Sequence, residues 1–222
     1  MARLLVLLRH GVTDWNREGR WQGRLDPPLG ADGEREAALL ARRLWADPEL
    51  RPARIVTSPL ARARDTARLV ADRTGVDVDE RLAEIGAGEW EGRTHAELER
   101  DDSERYLEWR AGDARGTDLP PGGEPLDAVR GRSAAWVAES VASDAWPLWA
   151  VSHGGLIRII AAMILGIDEE VTWRFDVDNA SLSVLLELDE GGWRIERWND
   201  VGHLLGRAPL HVDEAEGQPL AL

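Results

Sequence analysis

The chain contains no cysteine. That absence removes disulfides, thiolate zinc sites, iron–sulfur clusters and cysteine nucleophiles together. Lysine is missing as well, so all 27 basic residues are arginine. A P-loop lysine, a Schiff-base lysine and a lysine general base are therefore excluded. Besides 11 tryptophans, the aromatic residues are one tyrosine and one phenylalanine. Tryptophan at strand and helix positions is ordinarily core, which makes a sugar-stacking platform the lesser expectation. Long apolar runs are lacking. No stretch approaches the roughly 20 residues of a membrane span, and Arg9 cuts the N-terminal run before it reaches the ~7 residues of a signal-peptide core. Positive charge is scarce too: the net charge of −14 argues against a nucleic-acid or anionic-membrane surface, both of which need a basic face. A compact arginine cluster inside such an acidic shell would select a small anion. The expected setting is soluble and cytoplasmic.

What is present reads as one α/β domain. The 222 residues are 43% hydrophobic and 31% charged, enough for a real core. Leu4 to Leu8 is a short strand apolar on both faces, as in the middle of a covered sheet. Gly33 to Trp45 repeats apolar residues at helical spacing, Arg54 to Thr57 is a second strand, and a helix from about Leu60 to Arg73 follows, stopping at Gly75. Val76 to Val78 is a third strand, a helix spans Leu126 to Val141, and Trp146 to Ser152 is a fourth strand. His153-Gly154-Gly155 then opens a helix over Leu156 to Leu165. Ser181 to Leu188 and Trp193 to Trp198 flank Asp189-Glu190-Gly191-Gly192, a hairpin signal. Strands alternating with helices predict a three-layer α/β/α sandwich with a mostly parallel central sheet. Residues 90–125 are polar, carry short helical stretches near Ala96 to Arg110, and read as a helical insertion over one edge. The domain is expected to span 1–205, with 206–222 a flexible tail.

Four residue groups with chemistry follow four successive strands. Arg9-His10-Gly11 follows the first, and Ser58-Pro59-Leu60-Ala61-Arg62 the second. Glu84 follows the third, within Leu82 to Gly92, and Ser152-His153-Gly154-Gly155 follows the fourth. A parallel sheet brings such ends together along one crevice. There, two arginines would offer forked donors that match phosphate oxygens, and two histidines would supply nitrogens that titrate near neutrality. One carboxyl group could donate a proton, and the helix opening at Gly154-Gly155 adds N–H groups suited to an anion. These parts fit phosphoryl transfer through a covalent phosphohistidine. They fit a metal site poorly, because the histidines stand far apart in the chain with no aspartate beside either. Glu89 and Glu91 rival Glu84 for the acid. Arg64, Arg68, His95 and His211 read as surface residues, and His203 as a capping or packing residue.

The motifs strongly resemble the histidine phosphatase superfamily, in its phosphoglycerate-mutase-like branch. Residues 9–16 look like the signature RHGxTxxN, 58–67 like SxLxRAxxTA, 84–92 like ExxxGxWEG, and 152–155 like SHGG. The resemblance implies that His10 is the phosphorylated nucleophile and that Arg9 and Arg62 clamp the phosphate. It implies that His153 stabilises the transferring group and that Glu84 acts as general acid and then base. Asn16 and Gly154 would touch the phosphate, while Gln22 and Gly23 would touch substrate. Glu124 stands where the family often has Gly-Gly-Glu-Ser, but Pro125 replaces the serine. No metal and no cofactor are implied. The insertion length and Trp90-Glu91-Gly92 look more like the phosphatases than the mutases, so hydrolysis of a small phosphomonoester is expected, a sugar phosphate or a phosphoglycerate derivative such as glucosyl-3-phosphoglycerate. Mutase-type transfer and a non-catalytic phospho-ligand module are the alternatives, and a homodimer through hairpin edges is compatible with the pattern.

Overall fold

Leu4, Val6 and Leu8 face one side of a sheet and Leu5 and Leu7 the other, and all five are buried. Such a strand must lie in the middle of a covered sheet. In the computed structural model, which describes residues 3–110, 120–168, 171 and 173–204, it does. In chain order the strands are β1 (Leu4–Arg9), β2 (Arg54–Thr57), β3 (Val76–Val78), β4 (Leu148–Ser152), β5 (Leu182–Glu187) and β6 (Trp193–Asp200). The helices are α1 (Asp14–Arg17), α2 (Ala31–Trp45), α3 (Ala61–Val70), α4 (His95–Asp101), α5 (Ser103–Arg110), α6 (Leu126–Ala142) and α7 (Gly154–Leu165). Sheet order is β3-β2-β4-β1-β5-β6. The first four strands in that order are parallel, β5 runs antiparallel to β1, and β6 runs antiparallel to β5.

The two faces hold separate cores. On one, Leu40 and Leu44 of α2 with Ala63, Ala67 and Val70 of α3 meet Leu4, Val6, Leu8, Ile55 and Trp149. On the other, Val129 and Trp136 of α6 with Leu156, Ile157 and Ile160 of α7 meet Leu5, Leu7, Val56 and Ala150. The expected three layers and mostly parallel sheet are present. The insertion carries a third cluster of Trp90, Leu98, Tyr106 and Trp109, with Trp21 packed against it. An isolated bridge between Arg20 and Thr94 joins it to the segment after β1. It therefore stands beside the carboxyl ends of the strands.

Several element ends differ from the sequence reading for local reasons. α3 stops at Val70 and not at Arg73, because Asp72 turns the chain at φ 51 before Gly75 is reached. β4 starts at Leu148 and not at Trp146, since Pro147 has no N–H to give a ladder. α7 begins at Gly154, two residues early, with His153 as its N-cap. The tail from 206 and His211 lie outside the described residues.

Register decides what meets at the strand ends. Arg9 pairs with Ser152 across β1 and β4, so the next residues, His10 and His153, are neighbours. Thr57 pairs with Val151, which sets Ser58 beside them.

Candidate active site

A pocket of about 300 Å³ opens at these strand ends and is lined by Arg9, His10, Asn16, Gln22, Gly23, Arg62, Glu84 and Gly154. The sequence-predicted residues thus converge, and His153, fully buried, stands directly behind with its ring 5.1 Å from that of His10.

His10 is held in one tautomer. Its Nδ1 lies 2.7 Å from the Gly11 carbonyl. A carbonyl only accepts, so Nδ1 carries the proton and Nε2 keeps its lone pair. Burial, then Arg62 and Arg9, hold its pKa well below the ordinary 6.5. His153 is lowered likewise, by burial first and then by Arg62. Its Nε2 is 2.7 Å from the Ser58 hydroxyl, which also accepts the Leu60 N–H at 3.2 Å. Ser58 thereby orients His153 while holding the turn that leads into α3.

The arginines are fixed through backbone carbonyls. Arg62, 1% exposed, donates to Leu25 O at 2.8 Å and Gly23 O at 2.9 Å. Arg9 donates to Val177 O, and its Nε has no hydrogen-bond partner among the described residues. Arg158, which sequence reasoning passed over, lies one helical turn beyond Gly154 and donates through Nε to Phe175 O at 2.8 Å. Its side chain lines the same pocket. Burial lowers the pKa of Arg62 and of Arg158 to about 10, and lowers that of Arg9. Among the described residues the only carboxylate within 4 Å of the three is Asp26, 3.8 Å from Arg62. Two buried cations and a half-buried one, so weakly paired, are costly without an anion between them.

Glu84 also lines the pocket, at the N-terminus of α7. Its carboxylate accepts from Ile85 N at 2.9 Å, Leu156 N at 3.2 Å and Gly155 N at 3.4 Å. The helix has no side-chain cap of its own, and Glu84 supplies one from outside. Gly155 is needed for this approach, since a Cβ there would stand 2.9 Å from Glu84 Oε1. The rivals separate clearly. Glu89 is exposed. Glu91 binds Arg24 N at 2.8 Å and Ala87 N at 2.9 Å, tying the Gln22–Arg24 segment to the loop of Glu84. Glu124 also acts as a strap, accepting from Arg132, Arg24 and the Gly86 N–H. Pro125, in place of the serine, leaves α6 without a side-chain cap.

Two residues expected at the surface, His95 and Arg64, are placed otherwise. His95 is not a surface residue: it lines the pocket, its Nδ1 2.9 Å from the Tyr106 hydroxyl and its ring against Trp21. The fold of the insertion, which local patterning cannot show, brings it there. Arg68 is exposed and paired with Asp65, but Arg64 is half-buried with its Nε shielded from water. Five of the 11 tryptophans are buried, Trp90, Trp136 and Trp149 among them, and Trp45, Trp173, Trp193 and Trp198 pack against the core. Trp21 is the exception that reaches the pocket wall. His203 packs beside α2 and does not line the pocket, which agrees with a packing role.

A covered α/β sheet whose parallel strand ends carry an oriented imidazole beside weakly paired arginines defines a phosphoryl-transfer enzyme. Residues 5–201 match the histidine phosphatase superfamily (branch 1), and the chain belongs to that family. It is similar to glucosyl-3-phosphoglycerate phosphatase of Mycobacterium tuberculosis, at 39% identity over 82% of this chain and 97% of the relative. A relative from Enterobacter sp. named phosphoglycerate mutase GpmB is 34% identical over 90% and 94%. Among solved structures, a mycobacterial glucosyl-3-phosphoglycerate phosphatase with VO3 superimposes at a TM-score of 0.77, with 40% identity over 89% of this chain and 99% of that one. The chain is a phosphatase that hydrolyses phosphomonoesters.

Proposed function

We propose that the hydrolysis runs through a phosphohistidine on His10. The observation that carries this is the Nδ1 contact to Gly11 O, which leaves Nε2 unprotonated beside Arg9 and Arg62. In the first half-reaction Nε2 bonds to phosphorus as the bond from phosphorus to the ester oxygen breaks. Glu84 gives its proton to that oxygen. Arg9, Arg62, Asn16, His153 and the Gly154 N–H end of α7 hold the charge on the remaining oxygens. In the second half-reaction Glu84 takes a proton from water, the water oxygen bonds to phosphorus, and the Nε2–P bond breaks, releasing inorganic phosphate. No step calls for a metal, and among the described residues no cluster of three histidine, aspartate or glutamate side chains is placed to hold one.

For the substrate we infer a small phosphomonoester whose leaving group bears both hydroxyls and a negative charge. Glucosyl-3-phosphoglycerate, the compound in the names of the relatives, fits that description. Supporting it, Trp21, Gln22, Gly23 and His95 line the pocket together with the buried Arg158. Mutase-type transfer is the second reading, favoured by the relative named as a mutase. Cytoplasmic setting and dimer formation complete the proposal. No helix among the described residues is long and apolar enough to cross a membrane. β6 is an edge strand with Ile195 exposed, where a second copy could add.

Phosphate release should be measured across sugar phosphates, phosphoglycerates and glucosyl-3-phosphoglycerate, with and without 2,3-bisphosphoglycerate. The expected result is fastest release from an ester bearing a carboxylate and no dependence on the bisphosphate. Conversion of 3-phosphoglycerate to its isomer, driven by the bisphosphate, would favour the mutase.

A further inference from the structure

The segment that leads into β5 lines the pocket with Asp176, Val177 and Asp178, and just behind them Asn179 contacts two residues of the site. Asn179 is buried in the turn that leads into β5. Its Nδ2 donates to the His10 carbonyl at 3.1 Å and to Asn16 Oδ1 at 3.3 Å. Asn16 Oδ1 also accepts the Thr13 backbone N–H and the Thr13 hydroxyl, each at 3.0 Å. A backbone N–H pairs only with an acceptor, so the Thr13 bond fixes which end of the Asn16 carboxamide is oxygen. With the oxygen turned onto Thr13 and Asn179, Nδ2 is the end that remains for the pocket, which Asn16 lines.

The geometry points to Asn179 as a positioning residue that locks the Asn16 carboxamide so that its Nδ2 N–H meets the phosphate. This rests on the reading of Asn16 as a phosphate contact. The turn around Asn179 is built to aim it. Ala180 adopts φ 53, a strained conformation for alanine, and there its N–H donates to the same His10 carbonyl at 3.0 Å. Asn199 of β6, at φ 50, accepts the Asp178 N–H through Oδ1 at 2.7 Å and donates through Nδ2 to Asp178 Oδ2 at 2.9 Å. Its own N–H donates to the Ser183 hydroxyl at 3.0 Å. A side chain of the edge strand thus holds the turn, and the turn holds Asn179. Asn179 in turn holds Asn16 and the carbonyl of the nucleophile. An asparagine that served only its own turn would bond to nearby backbone, whereas these two bonds cross to residues 169 and 163 positions away.

The test is a double-mutant cycle on inhibition by inorganic phosphate, with Asn16→Ala, Asn179→Asp and the double variant. A carboxylate at 179 faces Asn16 Oδ1 with a second oxygen and turns the amide out of place. Each single variant is expected to weaken phosphate inhibition about tenfold, the size of one hydrogen bond to a charged group. The double variant should match Asn16→Ala within about twofold, the scatter of non-interacting sites. If the double variant loses the product of the two single effects, Asn179 acts independently of Asn16 and the inference is overturned. An unchanged phosphate inhibition in Asn179→Asp, beside a weakened one in Asn16→Ala, overturns it as well. If Asn16→Ala itself is without effect, the reading of Asn16 as a phosphate contact fails and the inference falls with it. Should Asn179→Asp not fold, Asn179→Ser, too short to reach Asn16, takes its place in the same cycle.

Discussion

His10 and His153 reach the pocket neutral because their surroundings are dry and positive. Burial comes first among the causes, and Arg62 next for both. Their imidazole resonances, followed by NMR, should titrate with midpoints well below the ordinary 6.5. Below about pH 6.5 the unfolded chain binds protons at these two histidines that the folded chain refuses. Stability is therefore complete above that value and falls as pH drops through it. The melting temperature should decline on acidification, and His153→Gln should flatten the decline. Midpoints at or above 6.5 would contradict the account. At this scale the sequence was most legible, because the motifs carry their own spacing: Arg9, His10, Arg62, Glu84 and His153 all arrive at one place. Arg158, Asn179 and His95 were not legible. Arg158 sits inside an apolar helix without a motif around it, and Asn179 acts only through a turn. His95 depends on how a polar insertion packs. The one available signal was the placement of Arg158 four residues after Gly154, on the same helix face.

Among the elements, the turn between β1 and α1 carries the nucleophile and is clamped on three sides. Gly11 N–H donates to Thr66 of α3 at 3.0 Å, and Val12 N–H to the buried Glu36 of α2 at 2.9 Å. The third clamp is bare backbone. A Cβ on Gly11 would come 2.5 Å from Gly33 O, and one on Gly33 would overlap Val12 O. Gly33→Ala should therefore cost about 1–3 kcal/mol by overpacking. For a domain of this length, that is roughly 2–4 °C of melting temperature per kcal/mol. Turnover should fall more than stability alone explains, because the displaced turn holds His10. A variant with unchanged melting and unchanged kcat would show the turn to be looser than drawn. β1 and α2 were legible because the apolar run of one and the helical spacing of the other are strong patterns. Their ends were less legible, since Asp72 at positive φ and the proline at 147 act below the reach of a periodic pattern. Glu84 as the external cap of α7 was also beyond reach, being a contact between residues 71 and 72 apart in sequence.

The molecule as a whole sets an acidic exterior, net charge −14, around a pocket lined by the buried Arg62 and Arg158 and the half-buried Arg9. Outside charge keeps extended polyanions away, while the pocket keeps a small one. The fold class followed from alternation of strands and helices, and the crevice from the rule that parallel strands share one active end. What the whole chain is arranged to accomplish, in this account, is to make one nitrogen accept a phosphoryl group. The direct measurement is a rapid-quench experiment with substrate carrying radiolabelled phosphate, run with a chelator present. Wild-type protein should hold a label that survives alkali and is lost in acid, the behaviour of a nitrogen–phosphorus bond, and His10→Ala should hold none. Label retained by His10→Ala, or turnover in wild type without any labelled protein, would contradict the phosphohistidine on His10.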